Sequence, residues 1–187
     1  MRLVSLLPAL AAAAVVVAGQ GLTPTDNPRY VTVAIARPSG NGIRGAVRFT
    51  RLADGSGLQL DVQAEGLEGG VQYPYHIHVN PVPASGDCMA TGGHLDPDRA
   101  KALAGGAYRC DPAQTWTCEA GDLAGIYGNL TADGSGSSKF KTSYRSTVLS
   151  FDGRVSVLGH SIVIHAPNNT RLACANIVGY KKADHKM

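Results

Sequence analysis

The sequence predicts an all-β domain of about eight short strands, arranged as a sandwich or flattened barrel. Three observations carry this. Apolar and polar residues alternate with a period of two over several short runs. Turn-forming clusters separate those runs, drawn from 23 Gly and 10 Pro in 187 residues. Charged residues make up 17% and aromatic residues 6%, which argues against a disordered chain, a helical bundle or a polybasic membrane binder. The formal net charge of +3 is too small to point to nucleic acid, and Lys181-Lys182 is the only adjacent basic pair.

Residues 1–18 read differently from the rest. Arg2 is their only charge, and Leu3 to Val17 is an apolar run broken only by Ser5 and Pro8. Val16-Val17-Ala18 closes it with a small residue. This is the pattern of a secretory signal peptide. The rival is a membrane anchor, but a span needs about 20 apolar residues, and Gly19-Gln20-Gly21 stops the run early. A lead-in over 19–29, a single domain over 30–180 and a polar tail over 181–187 are expected to follow. That tail lacks the hydrophobic stretch of a lipid-anchor signal. No second long apolar run exists, so no membrane span is expected after cleavage. The product is expected outside the cell or in the cell-wall space, as a monomer rather than a dimer. Export also makes two N-glycosylation sequons usable, at Asn129 and Asn168.

The strands can be justified in order. Val31, Val33 and Ile35 alternate with Thr32, Ala34 and Ala36, and Pro38 to Gly42 forms a turn. Ile43, Val47 and Phe49 alternate with Arg44, Arg48 and Thr50, and Asp54-Gly55-Ser56-Gly57 turns again. Leu58, Leu60, Val62 and Ala64 then alternate with Gln59, Asp61, Gln63 and Glu65. This is a meander with one apolar face. Further strands are expected over 73–79, 123–131, 139–145, 160–166 and 173–181. Asp133-Gly134-Ser135-Gly136 and Asp152-Gly153 supply turns. The stretch 80–121 is long, rich in Gly, Pro and Ala, and holds three of the four cysteines. A loop that long in a compact domain is usually functional. A helical turn fits 101–104, but no helix is expected there.

Cys88, Cys110, Cys118 and Cys174 are an even set in an exported chain and predict two disulfides. Four cysteines allow three pairings. Cys110 and Cys118 are close enough for a local loop, which leaves Cys88 with Cys174. No Cys-x-x-Cys pair supports a cysteine zinc site.

The histidines carry the chemistry. His76 and His78 lie two apart on a predicted strand, so both side chains leave one face while Ile77 and Val79 take the other. An imidazole pair on a rigid strand is half of a copper or zinc site. His165 ends the apolar strand Ser161-Ile162-Val163-Ile164-His165, and His94 lies in Gly92-Gly93-His94-Leu95-Asp96-Pro97 within the long loop. His160 has the wrong parity to join His165 and reads as a surface or hydrogen-bonded residue. His185 falls in the tail.

With His76-Ile77-His78, Gly93-His94-Leu95-Asp96-Pro97, Gly121-Asp122-Leu123, Gly159 to His165 and Arg171-Leu172-Ala173-Cys174 in this order, the chain resembles the copper/zinc superoxide dismutase family from about Tyr30 to Tyr180. The resemblance implies an eight-stranded Greek-key flattened β-barrel, an immunoglobulin-like sandwich with a long metal-site loop. It implies that His76, His78, His94 and His165 hold one copper, that Cys88 pairs with Cys174, and that Arg171 steers and docks the superoxide anion.

Two departures from the family pattern matter. Leu95 to Gly121 contains no histidine. Asp122 matches the family aspartate, while Glu119 falls where the last zinc histidine would be. His94, Asp122 and Glu119 make a poor zinc site, so zinc is not expected. Only Ala166 to Thr170 separates His165 from Arg171, where the family carries a long charged loop. Both losses resemble the copper-only, extracellular superoxide dismutases of fungi. The implied activity converts superoxide to oxygen and hydrogen peroxide by one-electron Cu(II)/Cu(I) cycling. His94, on a loop, is the ligand expected to release and to carry a proton. Glu119 is expected to accept a hydrogen bond from His94 and orient its ring, against the alternative of a solvated loop glutamate. Asp122 is the other candidate partner. A secreted copper-binding or storage module with little turnover is the competing function. Its signature would be loss of Arg171 or of one histidine.

Overall fold

The computed structural model describes residues 22–132 and 138–182. The expected signal segment, the turn over 133–136 and His185 lie outside these residues. The elements run β1 (Leu22–Pro24), β2 (Val33–Ala36), β3 (Ser39–Gly40), β4 (Ile43–Arg51), β5 (Leu58–Glu65), β6 (Gln72–Tyr73), β7 (Tyr75–His78), α1 (Ala100–Leu103), α2 (Leu123–Tyr127), β8 (Leu130–Thr131), β9 (Lys139–Ser146), β10 (Ser161–His165), β11 (Arg171–Asn176) and β12 (Val178–Lys182). Short 3-10 turns occupy Cys88–Thr91 and Thr115–Thr117.

The fold is all-β and antiparallel. One sheet follows the order β1-β12-β2-β4-β3-β11-β10-β7, with β5 joined to β4 and β9 joined to β5, while β6 and β8 form a separate pair. The eight strands of four or more residues are β2, β4, β5, β7, β9, β10, β11 and β12; the other four are two- or three-residue additions at corners and edges. β3 is the corner that hands the sheet from β4 to β11, pairing Gly40 with Ile43 and Ser39 with Cys174. Gly40 has φ 156°, and a Cβ there would run into the Leu172 carbonyl oxygen, so the corner needs glycine. Among the described residues no ladder joins β7 to β9, so these two remain edges.

The period of two becomes burial. On β5, Leu58, Leu60, Val62 and Ala64 are buried and the residues between them are not. Phe49, Ile77, Ile162, Ile164, Leu123 and Phe151 fill the same core. Each fully buried side chain of this size contributes about 1.5–3 kcal/mol. β7 and β10 are buried on both faces: Tyr75, Ile77, Ile162 and Ile164 belong to the core cluster, and the histidines take the opposite face.

Several expected bounds need correction, among them 173–181, which forms two strands, β11 and β12. The run 123–131 is not one strand. The Asp122 side chain accepts the Gly125 N–H at 2.7 Å and starts α2, and Gly128 at φ 92° ends it before β8. The run 73–79 is broken at Pro74, which has no N–H for the ladder. A short helix, α1, does form over Ala100–Leu103, because Asp96 accepts the N–H groups of Ala100 and Lys101 at 2.8 and 3.2 Å.

Candidate metal centre

Residues 79–121 fold back along the free edge of β7. Val79 N–H donates to Gly93, Leu95 N–H to Ile77, Ile77 N–H to Gly121 and Gly121 N–H to Leu95, at 2.8–3.0 Å. His94 is therefore locked to the strand that carries His76 and His78, through a bridge between His78 and His94. Gly121 sits so close that a Cβ would collide with the Ile77 carbonyl oxygen. β10 pairs with the other edge of β7 and sets Val163 opposite His76, with His165 following at the strand end.

His76, His78, His94 and His165 each bring one ring nitrogen within 4.8 Å of those of the others. The hydrogen bonds decide which nitrogen. His78 Nδ1 donates to the Gly92 carbonyl at 2.9 Å and His165 Nδ1 to the Asn169 carbonyl at 3.1 Å. A carbonyl only accepts, so each Nδ1 carries hydrogen and each Nε2 is bare in the neutral ring. Those two Nε2 atoms are 3.2 Å apart. His94 Nδ1 faces the Glu119 carboxylate in a short contact, which likewise frees Nε2. His76 is reversed. Its Nε2 lies 3.5 Å from Asp122 Oδ1, and its buried Nδ1 has no hydrogen-bond partner. An unpartnered buried nitrogen costs free energy unless something fills its lone pair. A cation at this cluster would do so.

Burial, followed by the charges of His94 and the other histidines, pushes His76 down to about 2. Burial also lowers His78 to about 3, offset by its bond to Gly92, and lowers His165. Neutral rings near pH 7 keep their lone pairs for a metal. Four imidazoles are a donor set for copper or zinc.

Arg171 follows β10 across a short turn and sits in register with His165. Its Nη1 donates to the carbonyls of Cys88 and Met89 and to Thr91 Oγ1 at 2.7, 2.9 and 3.0 Å, and its Nη2 donates to Gly92 O at 2.6 Å. The Gly92 oxygen thus serves both Arg171 and His78. Thr91, fully buried, passes its own hydroxyl hydrogen to Cys88 O at 2.8 Å. Disulfides join Cys88 to Cys174 and Cys110 to Cys118.

The sequence profile of copper/zinc superoxide dismutase (SODC) matches residues 43–177. The chain belongs to the copper/zinc superoxide dismutase family. It is 37% identical over 151 residues to the cell surface superoxide dismutase [Cu-Zn] 4 of Candida albicans, covering 79% of this chain and 59% of that protein. It is 38% identical over 144 residues to the cell surface Cu-only superoxide dismutase 5 of the same organism, covering 75% and 57%. The chain thus spans less than two thirds of the length of these curated relatives. A solved structure of C. albicans superoxide dismutase 5 with Cu(II) superposes with a TM-score of 0.66 at 34% identity, over 84% of this chain and 95% of that one.

Within this superoxide dismutase frame, the two carboxylates singled out from sequence are buried, Glu119 at 3% and Asp122 at 7% exposure. Lys101 Nζ reaches Glu119 Oε1 at 4.0 Å. His160 stays out of the cluster, its Nδ1 donating to Val79 O at 2.8 Å. Of the two sequon asparagines, Asn168 is exposed and Asn129 is half-buried. Sequence reasoning missed Thr91 and Tyr108. The Tyr108 hydroxyl donates to Asp122 Oδ2 at 2.7 Å and accepts the Glu119 N–H at 3.0 Å. Burial and the nearby carboxylates raise its pKa, against the Glu119 backbone bond. Neither residue sits in a motif or a periodic run, so no local signal marks them.

Proposed function

We propose that the chain is an extracellular or cell-wall superoxide dismutase that binds one copper and no zinc. Copper, when bound, supplies a one-electron Cu(II)/Cu(I) couple that zinc lacks. The observation that carries this reading is the four-histidine cluster in which every other polar contact turns one bare nitrogen inward. His76 would bind through Nδ1, and His78, His94 and His165 through Nε2. The two carboxylates closest to serving a second metal are already engaged, Glu119 by His94 and Asp122 by Tyr108 and Gly125. The cell-surface and Cu-only names of the relatives support the same assignment.

Two superoxide ions and two protons become one oxygen and one hydrogen peroxide. Arg171 places a permanent positive charge beside the cluster and draws the anion in. Its guanidinium is held by four acceptors, so it needs no reordering when the anion arrives. His94, the most exposed of the four rings at 22% of its side chain, can carry one proton on Nε2 while Nδ1–H stays with Glu119. Glu119 keeps that ring in one tautomer throughout.

The test is superoxide consumption by purified protein, with elemental analysis after copper loading and dialysis. We expect one copper per chain, activity that appears with copper, and no dependence on zinc. Stoichiometric zinc whose removal abolishes activity would refute the copper-only site. Tight copper without turnover would favour the storage reading.

A further inference from the structure

We infer that Tyr108 is a positioning residue that braces the copper site by holding the Asp122 carboxylate and the backbone of Glu119 behind the histidines. The inference rests on the copper-centre reading above. One phenol oxygen donates to Asp122 Oδ2 at 2.7 Å and accepts the Glu119 N–H at 3.0 Å. Asp122 turns its other oxygen to His76 Nε2 at 3.5 Å and to the Gly125 N–H at 2.7 Å. Glu119 takes the Nδ1–H of His94. A single hydroxyl thus bonds the Asp122 carboxylate and the backbone of Glu119, the two residues whose side chains face His76 Nε2 and His94 Nδ1. Those two rings lie close together, tilted by 30°, with centroids 3.9 Å apart.

The covalent frame explains how the hydroxyl gets there. Tyr108 precedes Cys110 by two residues and Glu119 follows Cys118 by one. The Cys110–Cys118 disulfide closes the loop between them, so the two residues meet at its neck. Thr117 Oγ1 accepts the Asp111 N–H at 3.0 Å and stiffens the same neck. Removing the hydroxyl leaves a buried carboxylate oxygen without this donor and an N–H without this acceptor. A carboxylate so released can turn away from His76, and outer partners of metal-bound histidines typically govern affinity by about 10–100-fold. Tyr108 stands one bond further out, so the lower end of that range is expected.

Tyr108→Phe removes only the oxygen. Copper-loaded parent and variant should be compared by the rate of copper release to a chelator and by Cu(II) paramagnetic resonance, with circular dichroism as the check on fold. We expect about tenfold faster release, a changed hyperfine pattern and an unchanged far-ultraviolet spectrum. Combining Tyr108→Phe with Asp122→Asn should accelerate release by less than the product of the single effects. Parental release with a parental spectrum, or multiplicative effects, would overturn the inference. Should the variant not fold, the metal-free parent decides. A Tyr108 hydroxyl proton in slow exchange by nuclear magnetic resonance supports the bridge, and one exchanging too fast to observe refutes it. A parent that takes up no copper would overturn the copper-centre reading, while the hydroxyl measurement would still decide the bridge.

Discussion

Arg171 donates to the carbonyl oxygen of Cys88 at 2.7 Å across 83 positions of sequence, and Cys88 is disulfide-bonded to Cys174 on the strand that Arg171 begins. One strand therefore grips the same turn of the metal loop twice. The disulfide fixes the distance between strand and turn. The guanidinium fixes the orientation of the turn's carbonyls, including the one that sets the His78 tautomer.

Arg171→Ala should lower superoxide consumption about tenfold or more at low ionic strength, because the steering charge is gone. The parent's rate should fall as salt is added, and the variant's should be nearly flat. Arg171→Lys should fall between the two, keeping charge without the fork. Pulse radiolysis across salt concentration checks this, and a parental salt slope in the alanine variant would count against a steering role.

Replacing Cys88 and Cys174 together by serine should cost about 4–5 kcal/mol by chain entropy for a bridge spanning 86 positions. Copper retention should drop as well, since the turn is then held only by hydrogen bonds, among them those of Arg171, Thr91 and Asn80. Denaturant titration gives the first quantity and chelator competition the second. The same change at Cys110 and Cys118, which span 8 positions, should cost about 2–3 kcal/mol.

Glu119→Ala should keep the fold and reduce copper affinity or turnover by about 10–100-fold, because the ring of His94 loses its acceptor. Rates measured across pH, together with copper spectra, are the check. Equal rates and equal spectra for variant and parent would reduce Glu119 to a buried bystander.

The protein should lose stability in alkali. The hydroxyls of Tyr75 and Tyr144 lie 2.6 Å apart, and burial raises both above their ordinary value of 10. The folded state therefore holds protons that the unfolded chain releases. The stability this confers is complete below pH 10 and is lost as the pH climbs toward the raised folded values. Melting temperatures of metal-free protein from pH 8 to 12 should fall above about 10, and Tyr144→Phe should fall less steeply.

Much of this architecture was readable from residue order. Strand parity placed His76 and His78 together and excluded His160, because a two-residue period leaves little freedom about which face a side chain takes. The meander β2-β4-β5 followed from the same rule. The run 123–131 misled because its apolar content suits a strand or a helix, and one side-chain cap at Asp122 decided between them. Glu119 was reached only through resemblance. Tyr108, Thr91 and the carbonyl clamp on Arg171 were invisible, since they depend on contacts between distant segments that no periodicity encodes.

The Gly92 carbonyl oxygen accepts from His78 at 2.9 Å and from Arg171 at 2.6 Å. On the proposed function, ligation by His78 and anion capture by Arg171 therefore share one atom. Whatever strengthens one of these bonds polarises or shifts the acceptor of the other, so the two events are thermodynamically linked. Such coupling is reciprocal: an anion that draws on the guanidinium alters the basicity of the imidazole, and filling the histidine cluster alters the anion's affinity by the same factor.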